Sequence, residues 1–172
     1  MSMDILEVIK TRRSIRKYKP DPVSEEEINK ILEAGRWAPS ANNSQSWRFI
    51  VLRSQEMRKK LADTLTWGRF LSQAPLGIAV TVNPRARGSS HPVEDGGAAT
   101  QNMLLEAHSL GLGACWIGTY GTGNEASAKK VLNVPEDERL LSVIAIGHPA
   151  ESCQKTRKKL DEVTFTDRYG SR

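Results

Sequence analysis

Apolar positions in the first third of the chain recur at helical spacing three times, each time behind a residue able to cap the helix. Asp4 precedes Ile5, Leu6, Val8 and Ile9, which predicts a short helix ending near the run Thr11 to Arg16. Pro20 and Pro22 then break the chain. Ser24 and Glu27 make a capping-box pattern ahead of Ile28, Ile31, Leu32 and Gly35. Ser54 opens a third pattern through Met57, Leu61 and Leu65. Between the last two lie Ala38 to Ser46, rich in Pro, Ser and Asn and read as an ordered loop, and Trp47 to Arg53, read as a strand.

Leu76 to Val82, bounded by Pro75 and Pro84, predicts a second strand, followed by a loop from Asn83 to His91. The longest helical pattern runs from Val93 to Leu110 and stops at Gly111 and Gly113. Gly96, Gly97, Ala98 and Ala99 near its start permit close approach of another backbone, including one across a subunit interface. Ala114 to Gly118 reads as a short strand, Ala126 to Leu132 as a helix, and Leu140 to Gly147 as a strongly apolar strand. From His148 onward the chain is polar and basic, with Val163 and Phe165 as its apolar points. Strands alternate with helices without repeats or low-complexity linkers. The expectation is one mixed α and β domain over residues 1–172 with a tail from 148.

Hydrophobic residues at 38% and charged residues at 26% match ordinary globular usage and exclude wholesale disorder. No apolar run is long enough to cross a bilayer. Asp4, Glu7 and Lys10 interrupt any secretory stretch, so a cytoplasmic location is expected. Cys115 reads as a small buried filler and Cys153 as an exposed residue of a polar segment; neither is assigned a catalytic role. His91, His108 and His148 have no partner at metal-ligand spacing, and no metal is expected. Trp47 and Trp116 read as core, whereas Trp37, Trp67 and Arg69 are candidates for the border of a substrate cleft.

Charge placement says more than the net +5. Residues 1–20 alone carry +4, from Lys10, Arg12, Arg13, Arg16, Lys17 and Lys19 against Asp4 and Glu7. A second basic knot, Lys155 with Arg157, Lys158 and Lys159, lies in the tail. A nucleic-acid surface and a site for one small phosphorylated ligand both suit this distribution. Only Tyr18 accompanies the N-terminal cluster as a stacking aromatic, which disfavours nucleic acid.

Three segments carry the candidate chemistry. Arg12, Arg13, Ser14 and Arg16 supply guanidinium forks and a hydroxyl suited to a phosphate monoester, or form a solvated basic turn. The loop Ala38 to Trp47 has the amides and hydroxyls to hold a flat heteroaromatic ligand, or only to cap turns. In Gly111 to Gly118, glycines at both ends of a strand allow a ligand close to the backbone, and the segment is not a phosphate turn of the GxGxxG kind because it leads into a strand.

In this order, "RRSIRKY", "APSANNSQSWRFIVL" and "GLGACWIG", followed by "AIGHPA" and the basic "KTRKKLDEV", resemble the FMN-dependent nitroreductase family over nearly the whole chain. The resemblance implies an α+β fold with a central, mostly antiparallel sheet flanked by helices. It also implies an intertwined homodimer in which the 148–172 arm contacts the partner and FMN lies at the subunit interface. Arg12, Arg13, Ser14 and Arg16 match the stretch that binds the FMN phosphate and the flavin edge, and Lys155 and Arg157 the basic pair that completes the phosphate site. Pro39, Ser40, Asn43 and Gln45 match the loop that reaches the partner's flavin. Ile117, Gly118 and Thr119 match the strand end beside N5. Ser46 stands where the family often has Pro, and the segment between Leu76 and Val93 is short, so any substrate lid is small or comes from elsewhere. The implied activity is hydride transfer from NADH or NADPH through the flavin to a small acceptor such as a nitroaromatic or quinone, by a ping-pong mechanism with no catalytic side chain. The alternative is a specialised flavin protein of the same fold that stores or cleaves flavin or removes halogen.

Overall fold

Alternation of side chains along two central strands divides the core into two layers. The computed structural model of the protein describes residues 4–171. Strands β2 (Leu76–Val82) and β4 (Arg139–Gly147) lie at the centre of a four-stranded sheet, flanked by β1 (Trp47–Leu52) and β3 (Gly113–Gly118) in the order β1-β2-β4-β3. Every pairing is antiparallel. Ile78, Val80, Val82, Ile144 and Ile146 pack with Ile31 of α2 (Glu25–Arg36) and Met103 of α4 (Pro92–Ser109). Ala79, Val143 and Ala145 belong to the other cluster, with Leu61 of α3 (Gln55–Asp63) and Ala128 of α5 (Glu125–Leu132). Both faces of β2 and β4 are therefore buried, which explains their near-continuous apolar runs.

Local signals place most of these elements. Ser24 Oγ accepts from the Glu27 N–H at 3.3 Å, and Glu27 Oε2 accepts from the Ser24 N–H at 2.8 Å, closing the capping box of α2. Ser54 Oγ likewise accepts from the Met57 N–H and starts α3. Gly96 packs within its own chain. A Cβ there would stand 2.5 Å from Val82 and 2.6 Å from Leu141, so the small-residue stretch of α4 brings that helix down onto the sheet.

Two expectations change. The first helix, α1 (Ile5–Thr11), buries only Val8, and the Asp4 side chain makes no capping bond. Ile5, Leu6 and Ile9 face outward. The tail contains a short helix, α6 (Leu160–Val163), that its polar composition did not suggest. Its Leu160 and Val163 are also exposed.

A register shift between Val80 and Thr81 makes a β-bulge in β4. The Leu141 carbonyl there accepts from both the Thr119 N–H, at 3.1 Å, and the Tyr120 N–H, at 3.2 Å, and so fastens the turn that follows β3.

Candidate functional site

The basic turn is held against the sheet by its own apolar residue. Ile15 is buried against Gly113, and its N–H donates to the Ala114 carbonyl at 3.1 Å. Ser14 and Ala114 thus form a parallel bridge on the free edge of β3. Residues 17–19 pair in turn with 148–150: the Lys19 N–H donates to His148 O at 2.8 Å, and the Ala150 N–H to Lys17 O at 2.9 Å. The tail therefore leaves β4 directly beside the arginines.

That arrangement brings the two basic segments together. Arg13 Nη2 donates to the Lys155 carbonyl at 3.3 Å, while its Nη1 donates to the Lys10 and Arg12 carbonyls at 2.6 and 2.8 Å. Arg13 is a brace between turn and tail. Burial, then the positive charges of Arg157 and Arg13, disfavour the charged form of Arg12. No ion pair among the described residues neutralises Arg12, Arg13, Arg16, Lys155 or Arg157. Glu151 lines a cavity with Arg12 and Arg13 but makes no ion pair with them, so the cluster keeps positive charge suited to an anion.

A cleft of about 480 Å³ opens beside this turn, within the range of small-molecule sites of roughly 300–1,000 Å³. Arg16, Trp67, Phe70, Trp116, Ile117 and Gly118 line it. Since the Ala114 carbonyl faces the free edge of β3, the strand's two-residue period turns the backbone groups of Trp116 and Gly118 the same way. Ile117 faces β4 instead. Thr119 is buried, with its N–H on Leu141 O and its hydroxyl on Leu140 O at 2.7 Å, so neither donor is free for a ligand. Nothing crowds the place where a Gly118 side chain would begin.

Trp47 is core, but Trp116 is 37% exposed and lies at the cleft, with its ring edge over Gly97. Alternation on an edge strand sends Cys115 and Ile117 inward and Trp116 out. Trp67 is 88% exposed at the cleft wall; Arg69, at the start of a 3-10 turn over Arg69–Gln73, is exposed and does not line it. Trp37 lies elsewhere, its indole N–H donating to Glu33 at 2.6 Å. Sequence reasoning passed over Phe70, whose ring lies 5.8 Å from the Arg16 guanidinium, and the turn Thr122 to Asn124. The glycines at 121 and 123 were the available signal for that turn.

The loop containing Pro39, Ser40, Asn43 and Gln45 does not line the cleft of its own chain. It is nevertheless rigidly built. Buried Asp95, in the first turn of α4, accepts from the Ala41 N–H at 2.9 Å and from Ser44 Oγ at 3.2 Å. Ser40 Oγ accepts from the Gln45 N–H at 3.0 Å, and Asn42 donates to Gly88 O at 3.0 Å. Asn42, Asn43 and Gln45 all have left-handed backbones, with φ of 52°, 52° and 47°. Such conformations cost about 1–2 kcal/mol each for ordinary residues and gather where a backbone must present groups to a ligand. Ser46, which stands where the family often has Pro, is buried, and Asp95 fastens the loop through Ala41 and Ser44.

Cys115 is buried, and burial pushes its thiol pKa up; Cys153 is half-buried. Among the described residues no group of three or more His, Cys, Asp or Glu could hold a metal ion, and no helix is long and apolar enough to cross a membrane.

An open cleft at the free edge of β3 thus lies beside a cationic turn that makes no ion pair among the described residues, an arrangement suited to a small anionic ligand. The Nitroreductase family model matches residues 9–68 and 63–148, and the chain belongs to that family. It is 41% identical over 153 residues, 86% of this chain and 87% of the relative, to an Archaeoglobus fulgidus protein called "Putative NADH dehydrogenase/NAD(P)H nitroreductase". A crystal structure of a protein of the same description from Bacteroides thetaiotaomicron superposes with a TM-score of 0.91 at 31% identity, covering 98% of this chain and 100% of that one. A crystal structure described as a "putative nitroreductase in complex with FMN", from Desulfovibrio desulfuricans, gives 0.86 at 34% identity, covering 98% and 99%.

Proposed function

We propose that the chain is an FMN-dependent oxidoreductase that carries reducing equivalents from NADH or NADPH to a small acceptor such as a nitroaromatic or a quinone. The observation that carries this reading is the basic tail held against the arginine turn, where Arg13 Nη2 donates to the Lys155 carbonyl at 3.3 Å, beside the open edge of β3 and with no ion pair to Arg12, Arg13 or Arg157 among the described residues. The FMN complex of the Desulfovibrio desulfuricans relative supports it.

Arg12, Lys155 and Arg157 would hold the phosphate, with Arg13 as their brace. Ser14 and Arg16 would meet the polar part of the ring, and Arg16, which lines the cleft, would supply positive charge. The outward N–H of Gly118 would be a fixed donor, a preorganised dipole that needs no rearrangement. Bound there, FMN supplies the redox chemistry itself, and no side chain of this protein has to act as acid, base or nucleophile. Trp67, at the cleft wall, would border the acceptor, with Arg69 nearby in sequence.

The second wall of the site comes from another copy of the chain. Pro39, Ser40, Asn43 and Gln45 stand outside the cleft of their own chain, and the family resemblance assigns their loop to the partner's FMN. Ile5, Leu6, Ile9, Leu160 and Val163 are exposed apolar side chains on the two terminal segments, a surface that a homodimer covers. The 148–172 arm is the element that reaches across.

The test is direct. Purified protein is expected to be yellow, or to become so with added FMN, and to bleach with NADH or NADPH without air. Replacing Arg16 by Ala is expected to weaken FMN binding by about 1.5–3 kcal/mol, the range for a charge-assisted hydrogen bond. Protein with no affinity for FMN after reconstitution would end this reading.

A further inference from the structure

His108, in the last turn of α4, lies against the basic turn in a cavity of about 360 Å³ that Arg12 and Arg13 also line. Thr11 Oγ1 lies 2.7 Å from the Glu7 carbonyl and 2.8 Å from His108 Nε2, so the hydroxyl holds that edge of the ring toward α1. The imidazole is a group able to take up a proton near neutrality.

The charged surroundings of that ring come from three elements. Arg12 and Arg13 face it from the basic turn. Glu151 and Cys153, at the root of the tail, line the same cavity. Glu106, on its own helix, has its carboxylate near Ser109 Oγ at 3.3 Å. Burial, then Arg12 and Arg13, hold His108 below the ordinary imidazole value, although the carbonyl end of α4 favours positive charge. Two guanidinium groups that make no ion pair among the described residues thus add to burial in disfavouring the imidazolium. A dianion placed among those groups would remove their share of that cost.

We propose that the His108 imidazole takes up a proton from solvent when a phosphate monoester occupies the Arg12 cradle, which makes it a pH-dependent member of the phosphate site. The inference rests on the flavin reading, in that FMN is the monoester. Linkage then requires the converse: each proton gained on binding tightens binding as the pH falls.

Nuclear magnetic resonance of the three histidine rings decides the matter, with His91 and His148 as internal references. Adding FMN is expected to raise the His108 titration midpoint by about one unit, equivalent to about tenfold tighter binding below it. Riboflavin, which lacks the phosphate, is expected to leave it unmoved. In parallel, FMN titrations of wild type and His108→Gln at pH 6 and pH 8 are compared. The ionisation of FMN itself affects both proteins alike, and Gln retains a hydrogen-bonding group for Thr11. The variant is expected to match wild type at pH 8 and to bind up to tenfold more weakly at pH 6. FMN binding with an unmoved His108 midpoint, or an equal shift with riboflavin, would overturn the proposal alone. Failure of wild type to bind FMN at either pH would bring down the flavin reading, and this inference with it.

Discussion

Glu151 Oε1 accepts hydrogen bonds from the Arg16 N–H at 2.6 Å and from the Lys17 N–H at 3.2 Å. One carboxylate at the root of the tail thus fixes the backbone of the basic turn, alongside the bonds that pair residues 17–19 with 148–150. Glu151→Ala leaves both amides without this charged acceptor and is expected to cost about 1.5–3 kcal/mol in urea unfolding and to weaken FMN binding. Glu151→Gln keeps an acceptor oxygen and is expected to recover most of both. Equal losses in the two variants would mean that charge, and not the hydrogen-bonded strap, is what matters.

Neighbouring glycines of α4 are expected to respond in opposite directions to alanine. At Gly96 a Cβ meets Val82 at 2.5 Å and Leu141 at 2.6 Å, and such overpacking costs about 1–3 kcal/mol against a helix-propensity gain of about 1 kcal/mol. At Gly97 it meets only Trp116, at 3.8 Å. Gly96→Ala should lower Tm and Gly97→Ala should raise it. Stabilisation by both would contradict the close seating of α4 on the sheet.

Ser46 is buried, and its hydroxyl has no hydrogen-bond partner among the described residues. Ser46→Ala removes an unsatisfied polar group at little change in shape. It is expected to be neutral or to stabilise by up to about 1 kcal/mol in thermal unfolding. A large destabilisation would show that the hydroxyl has a partner.

Buried Glu125 accepts both forks of Arg139 at 2.7 Å and the Gly121 N–H at 2.8 Å, while Arg139 stacks over Tyr120 at 4.3 Å. The hydrogen bonds from Arg139 lead in holding the Glu125 carboxyl below its usual range. A group depressed in the folded state stabilises above its unfolded pKa, about 4.3, and loses that contribution as the pH falls through the folded value. Glu125→Gln is expected to cost about 2 kcal/mol near neutrality. Its deficit relative to wild type should shrink as unfolding is followed from pH 5 downward. A deficit independent of pH would argue against the ion pair.

Spacing and capping residues carried most of the fold. The capping box at Ser24, the Pro-bounded strand Leu76–Val82 and the glycine stop after α4 are local effects, legible because they act within a few residues. Order along the chain also made the cationic turn and the distant basic tail candidates for one site. Trp116 reads as core from sequence because a tryptophan in an apolar stretch looks buried until its strand is known to lie at a sheet edge. Glu151, Asp95 and His108 act on residues far away in sequence, so no local pattern could mark them.

The amino-acid sequence alone determined the elements, their alternation, and which residue types are available to meet a phosphate and a flat ring. Tertiary structure decided which of them share a place. Ile15 docking on Gly113 and the pairing of 17–19 with 148–150 bring Arg12 and Arg157 together. The bulge in β4 takes up both donors of Thr119, and the period of β3 leaves Gly118 free. The physical reason is that propensity and capping are short-range, whereas strand register, edges and charge proximity exist only once distant segments have packed.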